Sequence, residues 1–68
     1  MKISSLTSPE LNYLRDNCNF IDDEEMFFNM RARNASIEQC AEAMNCSVST
    51  ANRVSRRVNN KISRVRNW

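Results

Sequence analysis

The sequence predicts an all-α fold, a small four-helix domain that spans residues 1–68. The chain has no glycine and only one proline, so it cannot build the Asn-Gly and Asp-Gly turns that tight β-hairpins favour. Apolar residues recur every three or four positions in its last third, which is the period of an amphipathic helix. Four helix-start signals divide the chain, and 68 residues suffice for one small core.

The first helix is predicted over about residues 9–17. Ser8 is expected to be its N-cap, and Pro9 fits the first helical position because its missing N–H has no partner there. Asn17 and Asn19 mark the end, and we expect Asn17 to stop the helix in the left-handed conformation. The residues before it, Met1 to Thr7, are expected to fray.

The second helix is predicted over about residues 23–33, starting at Asp22 or Asp23. Its acidic start is interpreted as a capped, solvated helix end that complements the helix dipole. The alternative is that this acidic segment docks a basic partner surface. Asn34 is expected to end the helix. Four large apolar side chains are predicted to be mostly core, with Phe28 as the candidate for a dimer contact: Met26, Phe27, Phe28 and Met30.

The third and fourth helices are predicted over about residues 37–44 and 48–65. Ser36 and Ser47 are their expected N-caps, and Asn45 between them is expected to have a positive φ in place of glycine. One apolar stripe runs along the fourth helix and is predicted to be buried: Val48, Ala51, Val54, Val58, Ile62 and Val65.

Several classes of function conflict with the composition. Without glycine the chain cannot form a phosphate-binding loop, and without histidine it has no imidazole base or Cys/His zinc site. Cys40 and Cys46 are interpreted as small buried hydrophobes, while Cys18 is expected to be exposed. We therefore expect no enzyme activity, no cofactor and no metal. The absence of a long apolar stretch predicts a cytoplasmic protein without a membrane partner.

The charge is strongly polarised along the chain. Residues 1–30 carry a formal charge of −4 and residues 31–68 carry +6, although the net charge is only +2. The cations of the second half cluster opposite the apolar stripe of the fourth helix. This distribution favours nucleic-acid binding over a merely solvated basic face.

The predicted pair of helices over residues 37–57 has the features of a helix-turn-helix. Ala41 is small where two helices would cross closely, and Asn45-Cys46-Ser47 combines a left-handed turn residue, an apolar anchor and an N-cap. From Glu24 to Ile62 the chain resembles the helix-turn-helix superfamily, in particular the C-terminal promoter-reading domain of sigma factors and the effector domain of LuxR-type regulators. The run that carries the resemblance is S-I-E-Q-C-A-E-A-M-N-C-S-V-S-T-A-N-R-V-S-R-R-V-N-N-K-I.

The resemblance implies that the fourth helix enters the major groove of double-stranded DNA. By their positions in the motif, the base-reading residues are expected to be Ser47, Val48, Ser49, Asn52, Arg53 and Arg56. The phosphate contacts are expected to be Arg31, Arg33, Ser36, Thr50, Arg57, Lys61 and Arg64.

The function expected from these features is sequence-specific DNA binding by a small bacterial or phage transcriptional regulator. A homodimer on a palindromic site is expected, because one such motif alone usually lacks affinity. Trp68 either covers the core or lies at an interface. Two alternatives stay open: a protein-interaction module that contacts RNA polymerase or a sigma factor through the acidic half, and a DNA-targeting subunit of a recombination or packaging complex.

Overall fold

The computed structural model describes residues 2–66, and within them it contains four α-helices and no strand. The predicted all-α class with four helices is therefore confirmed. The helices are α1 (Ser8–Cys18), α2 (Asp22–Ala32), α3 (Ile37–Ala43) and α4 (Val48–Val65). Each predicted bound lies within one residue of the observed one. The described part measures 31 × 19 × 18 Å along its principal axes. Trp68 lies outside the described residues.

The helix starts agree with the predicted caps at two sites. The Ser36 hydroxyl accepts a hydrogen bond from the Gln39 amide, and the Ser47 hydroxyl accepts one from the Thr50 amide. At α1 the predicted cap, Ser8, is wrong. Thr7 is the N-cap, because Glu10 three residues later completes a reciprocal capping box with it.

Asparagine provides all three positive φ angles of the described chain, at Asn19 (54°), Asn34 (65°) and Asn45 (55°). The expectation for Asn34 and Asn45 is confirmed. The prediction that Asn17 ends α1 is wrong. Asn17 lies inside the helix, and its side-chain amide donates to the Tyr13 carbonyl oxygen at 2.7 Å. The helix therefore continues to Cys18, and Asn19 makes the left-handed stop.

Helix α4 lies at the centre of the fold and packs against α1, α2 and α3. Its predicted apolar stripe is buried at Ala51, Val54, Val58 and Ile62, and Val65 is half-buried. Val48 departs from the prediction because it begins the helix with its side chain 41% exposed.

The N-terminal segment and Cys18 also depart from expectation. Residues Ile3–Ser5 form a short 3₁₀ helix that packs on α2, and Ile3 is part of the core. Cys18 is buried at the end of α1 instead of exposed, because α1 extends one residue further than predicted.

Phe28 is fully buried, so it cannot serve the predicted dimer contact. Its ring lies 4.9 Å from the Phe20 ring between centroids, and the Arg15 guanidinium stacks over it at 5.5 Å. Phe27 is likewise buried, whereas Met26 is 44% exposed and Met30 is half-buried. The α2 core face is therefore narrower than predicted.

Helices α3 and α4 pack against each other and are joined by residues 44–47. The Cys46 amide donates a hydrogen bond to the Ala41 carbonyl oxygen at 2.9 Å, which closes the turn behind Asn45. Cys40 and Ala41 are buried, as predicted from their size, and Cys46 is half-buried. The start of α4 is thus held directly against the end of α3.

Candidate nucleic-acid interface

One face of α4 consists of polar and cationic side chains that are exposed along the helix. These residues follow one another at spacings of four, three, four and four, so they share the face opposite the buried stripe. With a rise of about 1.5 Å per residue, the face is about 22 Å long. We call it the α4 face, and it contains Ser49, Arg53, Arg56, Asn60 and Arg64.

None of these five side chains forms a hydrogen bond or an ion pair with another residue of the described chain. The buried polar groups, by contrast, are used internally, since within residues 2–66 no buried side-chain nitrogen or oxygen atom lacks a partner. The donors of the α4 face are therefore available to an external ligand.

The residues predicted to read bases occupy different positions relative to this face. Ser49, Arg53 and Arg56 lie on it, while Asn52 is about 100° around the helix from Arg53 and lies at its edge. Val48 is exposed at the first helical position. Ser47 is the N-cap, and its hydroxyl also donates to the Thr50 hydroxyl at 3.1 Å.

The residues predicted to contact phosphate fall into two groups. Arg64 and Arg33 are exposed, and neither forms a side-chain bond within residues 2–66. The five residues of the other group form hydrogen bonds within the domain. Arg31 is half-buried and donates from Nη1 to the Ala35 carbonyl oxygen. Ser36 exchanges two hydrogen bonds with Gln39, and the Thr50 hydroxyl accepts one from Ser47. The last two predicted residues, Arg57 and Lys61, both bind Glu24.

Glu24 is the one buried charged side chain among the described residues, with 2% of its surface exposed. Its Oε2 accepts from Arg57 Nε at 3.1 Å, and its Oε1 accepts from Lys61 Nζ and from the Ile21 amide at 3.2 Å. Lys61 Nζ also donates to the Asn19 carbonyl oxygen at 3.2 Å. We call the side chains of Glu24, Arg57 and Lys61 the Glu24 cluster. It joins the start of α2 to the middle of α4.

The electrostatics of the Glu24 cluster favour the ionised carboxylate. Burial by itself raises the pKa of Glu24, but hydrogen bonds from Lys61, from the Ile21 amide and from Arg57 outweigh this effect. The pKa of Glu24 therefore lies below its ordinary value. The acidic start of α2 is thus not wholly solvated as interpreted, although Asp22, Asp23 and Glu25 are exposed.

Two residues of this region were missed by the sequence prediction. Asn60 belongs to the α4 face, and its spacing of four from both Arg56 and Arg64 would have indicated this. The sequence indicated Glu24 less clearly, since three other carboxylates adjoin it. Only the side of α2 that packs on the core distinguishes Glu24 from them. Its position three and four residues before Phe27 and Phe28, on the same side of α2, was the available indication.

Two of the three cysteines, Cys18 and Cys40, are buried. Burial raises the pKa of the Cys18 thiol and of the Cys40 thiol, more than Lys61 and Arg31 respectively lower them. Both thiols are thus disfavoured as thiolates. Among residues 2–66, no three His, Cys, Asp or Glu side chains are grouped so that they could hold a metal ion.

None of the helices formed by residues 2–66 combines the length and apolar character needed to cross a membrane. Comparison of the chain with protein-family models, with curated proteins and with solved structures finds no match.

Proposed function

We propose that the protein binds double-stranded DNA in a sequence-specific manner and acts as a small transcriptional regulator of a bacterium or a phage. In this proposal α3 and α4 form a helix-turn-helix, and α4 is the helix that enters the major groove. The observation that carries the proposal is the α4 face, an exposed row of arginine, asparagine and serine side chains without internal partners.

In this proposal the two ends of α4 have different roles. Eighteen residues make a helix about 27 Å long, whereas the major groove is about 12 Å wide, so only part of α4 can lie against the bases. Ser49, Arg53 and Arg56 come first and are proposed to face base edges, with Arg53 donating to a guanine. Asn52 flanks them, where its amide can pair with adenine. Asn60 and Arg64 are then directed to the DNA backbone.

The proposed phosphate contacts are exposed cations, principally Arg57 and Arg64 on α4 and Arg33 at the end of α2. Ser36 is a weaker candidate, because its hydroxyl and its amide are both used by Gln39. If about five charges of the protein neutralise phosphates, the slope of log K against log salt is about −4 to −5. Contacts of these cations with phosphate give affinity for any duplex, and contacts with base edges add specificity.

The proposal is tested by selecting bound sequences from a random duplex pool and measuring their affinity by fluorescence anisotropy at several salt concentrations. Arg53→Ala is expected to lower affinity for the selected site by about 1–3 kcal/mol and to relax the preference at one base pair. Arg64→Gln is expected to weaken all duplexes equally and to reduce the salt slope by about 0.9.

The matched control is Lys2→Gln, which removes one positive charge at an exposed residue far in sequence from α4. It is expected to leave the preferred sequence unchanged. Absence of salt-sensitive binding of the wild-type protein to every duplex in the pool would contradict the proposal. Equal effects of Arg53→Ala and Lys2→Gln on sequence preference would contradict the assignment of the α4 face.

A second candidate function is binding of another protein through the acidic half. Asp22 and Glu25 lie with the exposed Met26 on the side of α2 that faces away from Phe27 and Phe28. A combined Arg53→Ala and Arg57→Ala variant that keeps its fold separates the two functions. Loss of duplex binding in this variant supports the DNA-binding proposal, whereas a wild-type chain that binds no duplex but co-purifies with a protein partner favours the alternative.

A further inference from the structure

We propose that Glu24 is a positioning residue for DNA binding, which fixes the Arg57 guanidinium so that its free edge contacts a phosphate, while Lys61 only anchors the carboxylate. This inference rests on the proposed DNA-binding function. It gives Arg57 and Lys61 different roles, although both were expected from the sequence to contact phosphate. It also means that the negatively charged Glu24 favours the binding of a polyanion.

Lys61 is occupied inside the domain. Its ammonium group donates to Glu24 Oε1 and to the Asn19 carbonyl oxygen, and its side chain is 28% exposed. An ammonium group has three donors, so two of the three are already used. Moving it to a phosphate would leave the buried carboxylate with one cation fewer and would open the turn before α2. Its position therefore fits an anchor better than a DNA contact.

Only one nitrogen atom of the Arg57 guanidinium donates to another residue of the described chain. Its Nε donates to Glu24 Oε2 at 3.1 Å, and its side chain is 50% exposed. A guanidinium group has five N–H donors, so the four on Nη1 and Nη2 are left, and none of them bonds to another residue of the described chain. Two of these donors lie parallel on one edge, which suits the bidentate binding of a phosphate.

The position of Arg57 on α4 agrees with this role. It follows Arg53 by four residues, so it is the next side chain along the helix on the flank that faces α2. A residue that flanks the base-reading row of a helix in the major groove meets the sugar-phosphate backbone. A flexible arginine would lose side-chain entropy on binding there, and the bond to Glu24 supplies part of that ordering in advance.

The two readings of Glu24 predict opposite signs for one substitution. If Glu24 acted only as a negative charge near DNA, Glu24→Gln would raise duplex affinity, because it removes repulsion. Positioning predicts a loss of affinity, about five- to tenfold at 0.1 M salt, and a salt slope that is smaller by about 0.9 as one phosphate contact is lost. The matched control is Glu25→Gln, which removes the same charge from the next, exposed residue and is expected to keep or slightly raise affinity.

A second pair of variants separates positioning from a general effect on folding. Arg57→Lys keeps the charge but lacks the Nε and the parallel donors, so it is expected to lose as much affinity as Glu24→Gln. In an Arg57→Gln background, Glu24→Gln is expected to have no further effect on affinity. Lys61→Gln is expected to lower the melting temperature but to leave the salt slope unchanged. All affinities are measured below the melting temperature of each variant, with helicity checked by circular dichroism.

The outcomes distinguish this inference from the proposed function. A wild-type protein that binds no duplex refutes the proposed function and the inference with it. If the wild type binds but Glu24→Gln behaves like Glu25→Gln, or if Arg57→Lys binds as tightly as the wild type, the positioning role alone is refuted. A salt slope reduced by Lys61→Gln and not by Arg57→Gln would reverse the division of roles.

Discussion

Three asparagines carry the backbone strain that glycine relieves in most proteins. Asn19, Asn34 and Asn45 each have a left-handed conformation, and each follows a helix. Asparagine tolerates this region better than other residues with a Cβ, because its short polar side chain bonds locally. The chain thus has a small backbone strain at three positions where a glycine with the same φ would have none.

Substitution at Asn45 tests this cost. Asn45→Gly is expected to be neutral or stabilising, because glycine adopts a positive φ without strain. Asn45→Val is expected to destabilise by about 1–2 kcal/mol or more, because a β-branched residue resists this conformation. The measurement is the free energy of unfolding in urea.

The control for these variants is Asn17, which lies inside α1. Asn17→Gly is expected to destabilise by about 0.5–1 kcal/mol, since glycine weakens a helix interior. If glycine had the same effect at Asn17 and Asn45, the left-handed backbone would not explain the presence of asparagine.

The ends of the helices could be predicted from the sequence better than the exact residue that performs each task. Serine, threonine and asparagine at helix ends act through local bonds, so the sequence locates them within a residue. The choice of Thr7 over Ser8 was available from the sequence, because Thr7 and Glu10 have the spacing of a capping box. The choice between Asn17 and Asn19 depends on how far α1 packs, and a linear pattern does not contain that.

Among the helices, α2 and α4 are joined by charge as well as by apolar packing. The Glu24 cluster is the contact between helices that no periodicity indicated, because a buried carboxylate is rare and its partners are 33 and 37 residues away. The α4 face was largely predictable from spacing alone. The spacing therefore indicated which side chains share a face of α4, but it could not tell which cations were already paired with Glu24.

The Glu24 cluster is expected to make stability depend on pH. Because the pKa of Glu24 is lower in the folded than in the unfolded chain, its contribution is fully present above the unfolded value of about 4.3. The contribution is then lost as the pH falls through the lower, folded value.

The corresponding experiment compares the wild type with Glu24→Gln in urea unfolding between pH 3 and pH 7. The difference in unfolding free energy is expected to be about 2 kcal/mol at pH 7 and to shrink below about pH 4. Glu25→Gln serves as the control, because it removes a carboxylate from the next residue, which is exposed. A constant difference across the range would contradict the lowered pKa.

At the scale of the whole molecule, the core is small, and two of its buried residues are phenylalanines. Phe27 and Phe28 are among its largest fully buried side chains. A chain of this length has a stability of only about 3–10 kcal/mol. The removal of a single ring is therefore expected to approach the whole of that stability.

Phe28→Ala is expected to cost about 3–5 kcal/mol and to leave a large fraction of the protein unfolded at 37 °C. Met26→Ala, on the exposed side of the same helix, is expected to change stability by less than about 0.5 kcal/mol. Thermal melts followed by circular dichroism measure both. A Phe28→Ala variant with an unchanged melting temperature would show that the core can close around the missing ring.

The central place of α4 in the packing has a consequence for how the chain folds as it is made. Helices α1, α2 and α3 all pack on α4, which follows them in the sequence. While a ribosome is still translating residues 48–65, the first three helices lack their common neighbour, so the apolar side chains that would pack on it stay exposed. Folding during synthesis should therefore be delayed until α4 emerges, and a chain arrested before it should be an easy substrate for proteases.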